Sequence, residues 1–234
     1  MTIKNILIKI ILVILFLIFL CELDRRFMIP HNFSNYYIKN FPKQILHGIH
    51  NTVYKLYENR MIFDVEEFKF HNYLIKNKNK IRKEFNQSNQ NIQIYAHTTS
   101  EILKKDNNYK YINFKIFNKD YPDNINVFPT IKKFLNQFNN IRTCFFSIMK
   151  KNKIIPYHRG PYSGVLRYHL PVIVTNPKKC YIEVMGTKLF YDKSFIFDDT
   201  YPHKFVKLDD SLRVVLICDV DNKYSYLKHH LLFN

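Results

Sequence analysis

Two histidines, each followed at a fixed distance by an arginine, are the residues of this chain whose types and spacing could do chemistry. His158 lies in the segment PYHRGP and precedes Arg167 and His169, and His203 ends the segment FDDTYPH ten residues before Arg213. Imidazoles on two separate strands can bind one divalent metal ion, and an arginine facing the same cavity can bind a carboxylate through paired hydrogen bonds. Together these residues are the minimum needed for iron chemistry with a keto-acid cosubstrate.

The two histidines alone do not identify the metal, because neutral imidazole binds Fe(II), zinc and copper alike. Non-heme Fe(II) oxygenases usually add a carboxylate two residues after the first histidine, but that position is Gly160 in this chain. Asp198 and Asp199 lie close to His203 without having the expected spacing. Two alternatives therefore remain: water completes the coordination, or the histidines are ordinary buried residues that bind no metal.

The arginines favour the first alternative, because both lie in apolar, strand-like segments. Burying Arg213 or Arg167 is costly unless a carboxylate pairs with it, and a dicarboxylate cosubstrate would supply one. Alternate residues of a strand point to the same face, so we expect Arg167 and His169 to share one cavity. The competing interpretation is that each arginine pairs with an internal aspartate, such as Asp198 or Asp199, and is only structural.

The composition excludes several function classes. Only 4 of the 234 residues are glycine, and neither a GxGxxG nor a P-loop motif is present, which argues against a Gly-rich phosphate-binding fold. The net charge of +17 comes from scattered lysines, and the densest run, residues 76–83, is typical of a solvated helix face. We therefore do not expect nucleic acid as a partner, although an acidic peptide or an anionic lipid headgroup would suit the charge. The four cysteines have no zinc spacing and are expected to be buried thiols.

The chain is expected to have four parts. Residues 6–21 are apolar except for Lys9, which predicts a signal anchor or transmembrane segment over residues 1–23, with a cleaved signal peptide as the alternative. A tether over residues 24–42, a helical support region over 43–108 and a catalytic β domain over 109–234 would follow. On this interpretation the protein is a single-pass type II membrane protein whose catalytic domain is lumenal.

Hydrophobic spacing predicts helices first and strands afterwards. Apolar residues recur at helical intervals over 43–60 and 65–85, and Pro129 is placed to begin a third helix. Extended segments are expected at 92–96 and 111–117. From residue 143 onward, short β-branched and aromatic runs separated by turn-like clusters predict a mainly β core, a sandwich or jelly roll; the runs are 144–149, 165–174, 180–185, 188–191, 195–197, 204–206 and 212–220.

Over about residues 109–220, the chain resembles the aspartyl/asparaginyl β-hydroxylases and their relatives that hydroxylate lipid A. The resemblance depends on the order and spacing of several short motifs, none of which is specific alone. These motifs are Ser147-Ile148-Met149, Pro156-x-His158-x-Gly160-Pro161, Leu166-Arg167-x-His169-Leu170, Ile196-Phe197-Asp198-Asp199-Thr200-Tyr201-x-His203, Leu212-Arg213 and Asp219-Val220.

The resemblance implies a double-stranded β-helix (a cupin-like jelly roll) that uses Fe(II) with 2-oxoglutarate and O₂ as cosubstrates. In this family two histidines and water hold the iron, and a glycine replaces the carboxylate, which accounts for Gly160. His158 and His203 would then be the iron ligands, and no catalytic residue beyond the metal centre is expected.

The same resemblance implies the cosubstrate pocket. Arg213 and Ser147 would bind the distal carboxylate of 2-oxoglutarate, Arg167 and His169 would complete the pocket, and Tyr111 falls where the family has a tryptophan. This chain has no tryptophan at all.

The substrate remains open between two classes. The resemblance implies a hydroxylase, with Asp or Asn side chains of peptides as the first candidate. Val165 stands where a basic residue is expected in members that bind an acidic peptide side chain, so a lipid hydroxylase of the same family is the alternative. A non-catalytic cupin-like binding module is a third interpretation.

Overall fold

The computed structural model describes residues 3–28, 43–88, 108–117, 119–160 and 162–225. Its helices are α1 (Ile3–Met28), α2 (Lys43–Tyr57), α3 (Lys69–Gln87), α4 (Pro122–Val127) and α5 (Pro129–Gln137), with short 3₁₀ turns at Val65–Glu67 and Pro177–Lys179. Its strands are β1 (Ile62–Phe63), β2 (Tyr109–Ile116), β3 (Lys119–Asp120), β4 (Ile141–Met149), β5 (Lys153–His158), β6 (Val165–Val174), β7 (Cys180–Val184), β8 (Thr187–Phe190), β9 (Phe195–Phe197), β10 (His203–Lys207) and β11 (Arg213–Asp221).

The strands form two antiparallel sheets. The larger sheet has the order β1-β9-β6-β11-β4-β2-β3, and the smaller one has the order β5-β10-β7-β8. Strand β11 lies at the centre of the larger sheet, paired along its length with β4 on one side and β6 on the other. The prediction of a mainly β core preceded by helices is therefore confirmed.

Alternation along the strands of the larger sheet divides its apolar residues between two cores. On β11, Val214 and Leu216 belong to a core shared with α3, α5 and the first 3₁₀ turn, whereas Val215 and Ile217 face the smaller sheet. This is the period-2 pattern of a sheet buried on both faces. The second core leaves a cavity between the two sheets, so one face of β11 can carry site residues while the other anchors the fold.

Several elements agree with the sequence prediction and others were missed. Helices α2 and α5 and strand β6 begin at the expected residues, and the second predicted helix divides into a 3₁₀ turn and α3. Strand β5 was not predicted, because Pro156 interrupts its short pattern. The proline is accommodated because β5 is an edge strand, where a missing N–H need not break a ladder. The expected extended segment at 92–96 and most of the tether over residues 24–42 lie outside the described residues.

The N-terminal anchor is not supported. Across the described parts of the chain, no helix is long and apolar enough to cross a membrane. The expected buried thiols are observed at Cys144, Cys180 and Cys218.

The outer core should dominate stability. Phe146 on β4 is fully buried, and its ring lies 5.1 to 5.4 Å from those of Phe114, Phe128 and Phe85. We expect Phe146→Ala to lower the free energy of unfolding by ~3–5 kcal/mol, measured by denaturant titration, because it leaves a cavity among these rings. Ile154→Ala, at a side chain that is 59% exposed, is the control and should change it by less than about 0.5 kcal/mol. Equal effects of the two changes would contradict this description of the core.

Candidate metal and carboxylate site

All of the predicted site residues line one cavity between the two sheets. The cavity has a volume of about 760 Å³, within the range of pockets that hold drug-sized ligands and larger than a five-carbon diacid needs. Its walls include the predicted residues Tyr111, Ser147, His158, Arg167, His169, His203 and Arg213. The prediction that Arg167 and His169 share a cavity is confirmed.

The two predicted metal ligands lie side by side. His158 ends β5 and His203 begins β10, where the two residues are cross-strand partners, and their ring centroids are 4.2 Å apart. Each ring donates its Nδ1–H to the carbonyl two residues earlier, 2.8 Å to Pro156 and 2.9 Å to Tyr201. A carbonyl can only accept, so these bonds fix the tautomer and leave the lone pair on Nε2, as in many metal-binding histidines.

Burial keeps both imidazoles neutral. It lowers the pKa of His158, and it lowers the pKa of His203 to about 3, with the neighbouring imidazole acting in the same direction. Neutral imidazole is the form that binds metal. Within the described ranges, no group of three His, Cys, Asp or Glu side chains comes together as a metal site. The arrangement therefore fits two protein ligands, with other ligands supplied from the cavity.

Asp199 explains why position 160 is a glycine. A Cβ atom on Gly160 would lie only 2.1 Å from Asp199 Oδ1, so no larger residue fits beside this carboxylate without displacing it. The carboxylate of Asp199 therefore occupies the space that a ligand side chain at position 160 would enter. Asp199 is buried, and its Oδ1 has no hydrogen-bond partner among the described residues. Burial raises the pKa of Asp199 to about 7, although the adjacent Arg167 acts in the opposite direction.

Arg213 is fully buried at the other end of the same cavity. Its Nη1 donates to Ser147 Oγ at 3.1 Å, and its guanidinium carbon lies 4.4 and 4.7 Å from the ring centroids of Tyr191 and Phe205. It forms no ion pair with an acidic residue in the described parts of the chain, and its Nε has no hydrogen-bond partner there. A buried guanidinium without a carboxylate is unfavourable, and a carboxylate from outside the chain would relieve this cost.

Arg167, in contrast, already has carboxylate partners. Its Nε and Nη2 donate to the two carboxylate oxygens of Asp219 at 2.8 and 3.1 Å, and its Nη1 lies 2.9 Å from Asp199 Oδ2. The interpretation that this arginine pairs with an internal aspartate is the one observed. A role for Arg167 in binding a cosubstrate stays a prediction, as does the role of its neighbour His169, whose Nδ1 lies 2.8 Å from the Tyr191 hydroxyl.

Tyr109 and Asp219 line this cavity but were not predicted as site residues, and Asp199 was predicted only as a possible internal partner of an arginine. Tyr109 lies one alternation before Tyr111 on β2, with the two ring centroids 4.3 Å apart, and its hydroxyl accepts a hydrogen bond from Ser147. The alternation of residues along β2 could have indicated Tyr109 from the sequence, because it lies two residues before the predicted Tyr111. Asp219 is the cross-strand partner of Arg167, a register that the sequence alone does not give.

Comparison with known proteins identifies relatives of this chain. Residues 75–223 match the family model described as aspartyl/asparaginyl beta-hydroxylase. A curated relative from Rhizobium tropici, named ornithine lipid ester-linked acyl 2-hydroxylase, is 34% identical over 125 residues. That match covers 52% of this chain and 44% of the relative, so the chain spans less than half of the relative's length.

Two solved structures match part of this chain with TM-scores below 0.5. One is an oxidoreductase of the 2OG-Fe(II) oxygenase family from Burkholderia pseudomallei, with a TM-score of 0.40 at 9% identity, covering 68% of this chain and 93% of that one. The other is HygX from Streptomyces hygroscopicus, solved with nickel and 2-oxoglutarate, with a TM-score of 0.42 at 8% identity, covering 64% and 80%. The family match is the stronger finding, because it covers more than half of the chain and contains every predicted site residue. This protein belongs to the aspartyl/asparaginyl beta-hydroxylase family.

Proposed function

We propose that this protein is a hydroxylase that uses Fe(II), with 2-oxoglutarate and O₂ as cosubstrates. The observation that carries the proposal is the buried Arg213, which has no acidic partner among the described residues and lies in the same cavity as a pair of neutral imidazoles. A diacid whose distal carboxylate binds this arginine would extend toward the histidines. The family membership supports the hydroxylase activity.

The residues present fit an iron centre. His158 and His203 would hold the metal through Nε2, and Oδ1 of Asp199, which is unpartnered among the described residues and lies next to Gly160, would accept a hydrogen bond from a metal-bound water. When bound, Fe(II) would supply the redox chemistry in which O₂ oxidises 2-oxoglutarate to succinate and CO₂ and a C–H bond of the substrate is hydroxylated.

The remaining residues bind and orient the cosubstrate. Ser147 and Arg213 would donate hydrogen bonds to its distal carboxylate, and the guanidinium of Arg213 packs against the rings of Tyr191 and Phe205. Apolar side chains such as Ile217 exclude water from this part of the cavity. Exclusion of water strengthens each charged hydrogen bond and protects the reaction from side reactions.

We propose an aliphatic acyl chain as the substrate. The part of the cavity near the β2–β3 hairpin includes Ile116, Phe117 and Phe145, which would pack against such a chain, together with the polar residues Asn113, Lys119 and Thr143. The position expected to carry a basic residue in peptide hydroxylases is Val165, which is buried on β6 and is not part of the cavity wall. The Rhizobium tropici relative, named as an acyl hydroxylase, supports the same class. An Asp or Asn side chain of a peptide is the second candidate.

The first prediction concerns turnover. Purified protein supplied with Fe(II), ascorbate and a substrate-containing extract should convert 2-oxoglutarate to succinate, and His158→Ala or His203→Ala should abolish this reaction, as followed by NMR of both acids. The control is His71→Gln, because His71 is a buried histidine on α3, hydrogen-bonded to Tyr168 and remote from the cavity wall. Metal and 2-oxoglutarate binding without turnover in any extract would instead favour a non-catalytic binding module.

The second prediction concerns Arg213. We expect Arg213→Ala to weaken 2-oxoglutarate binding by ~2–5 kcal/mol, at least about thirtyfold in Kd, with little change in metal affinity. Calorimetric titration of the Mn(II)-loaded protein under nitrogen measures both constants. Arg142→Ala, which removes an arginine paired with Asp221 outside the cavity, is the control. Unchanged 2-oxoglutarate affinity in Arg213→Ala would refute the assignment of this carboxylate site.

The third prediction concerns the substrate. Mass spectrometry of lipid and peptide extracts incubated with the enzyme, Fe(II) and 2-oxoglutarate should reveal products heavier by one oxygen atom in the lipid fraction, on the acyl chain. The same incubation with His203→Ala is the blank. Oxygen added only to Asp or Asn residues in the peptide fraction would exclude the acyl chain and establish the second candidate.

A further inference from the structure

An ion cluster next to Gly160, two residues after His158, contains one partly exposed arginine and two buried aspartates. Arg167 on β6 lies between Asp219 on β11 and Asp199, which precedes β10, and both aspartates are almost fully buried. One carboxylate would be enough to neutralise one guanidinium. The second carboxyl group, buried beside the first, is therefore not needed for charge balance, and burying it is unfavourable.

The hydrogen bonds divide the guanidinium between the two aspartates. Asp219 accepts from Nε and Nη2, using both of its oxygens, and leaves only Nη1 for Asp199. Asp199 is therefore held through Oδ2 alone, and its Oδ1 is left without a partner among the described residues, next to Gly160. Without Asp219, the forked edge of Arg167 would be free to bind both oxygens of Asp199, because guanidinium prefers paired bonds to a carboxylate.

A purely structural role does not explain this arrangement. Strands β6 and β11 are already paired over their whole length, from Arg213 opposite Val174 to Asp221 opposite Val165. Asp221 and Arg142 form a second arginine–aspartate pair at the end of β11, outside the cavity wall, which shows what such a pair looks like when it only joins strands. The pair formed by Asp219 differs, because its arginine, Arg167, also contacts the carboxylate of Asp199.

We propose that Asp219 is a positioning residue: by occupying two of the donors of Arg167, it keeps the Oδ1 atom of Asp199 available at the metal centre. The inference depends on the proposed function, since it concerns the affinity of the histidine pair for a divalent ion. Asp219 acts through Arg167 and Asp199 and does not itself contact the ion. Residues that hold the partners of a metal site typically contribute 10–100-fold to metal affinity.

The test is a calorimetric titration with Mn(II) alone, under nitrogen, at one pH. Asp219→Asn should weaken Mn(II) binding about tenfold or more, whereas the matched Asp221→Asn variant should bind Mn(II) like the wild type. If Asp219 acts through Asp199, the double variant Asp199→Asn/Asp219→Asn should bind no more weakly than Asp199→Asn alone, because the two effects share one path.

Thermal unfolding of the metal-free proteins separates positioning from folding. A lowered Tm in Asp219→Asn together with wild-type Mn(II) affinity would show that Asp219 forms only a structural ion pair. That result would overturn the inference and leave the proposed function standing. A wild-type protein that binds no Mn(II) would overturn the proposed function and the inference with it. If Asp219→Asn is too unstable to titrate, Arg167→Lys tests the same point. An ammonium group cannot present a guanidinium's planar set of donors to two carboxylates, so Arg167→Lys should show the same loss of Mn(II) affinity.

Discussion

The burial of Arg213 without an acidic partner among the described residues is the physical constraint on which the site depends. A guanidinium cannot be deprotonated in a protein, so its charge must be stabilised by what surrounds it. Here a serine hydroxyl and the faces of two aromatic rings supply part of that stabilisation. The central position of β11, paired on both sides, holds the backbone of Arg213 in place. The fold thus carries an unfavourable charge that an external carboxylate would relieve.

The two-sheet architecture separates the functions of the site. The larger sheet carries Arg213 and Ser147, the proposed carboxylate site, and the smaller sheet carries the two histidines. Their inner faces pack through the second core around the cavity, so the proposed metal and carboxylate positions depend on how the sheets pack. The outer aromatic core, which fixes the larger sheet against the helices, therefore contributes to the geometry of the site as well as to stability.

The sequence predicted those features that depend on local pattern. Strand periodicity placed Arg167 and His169 on one face, and the apolar run around Arg213 indicated a buried strand. The pattern did not reveal β5, where Pro156 interrupts it, although this strand carries His158. Nor could it predict that Arg167 bridges Asp199 and Asp219, because that contact depends on strand register and on the packing of two sheets. The expected anchor rested on composition alone, and the described part of α1 does not support it.

The central claim is that one small diacid joins the arginine on the larger sheet to a metal ion on the smaller one. A crystal structure of the protein with Mn(II) and 2-oxoglutarate tests this most directly. We expect an ion bound to Nε2 of both His158 and His203, with the distal carboxylate of 2-oxoglutarate on Arg213 and Ser147. An ion bound elsewhere, or a diacid whose carboxylates both lie away from Arg213, would contradict it.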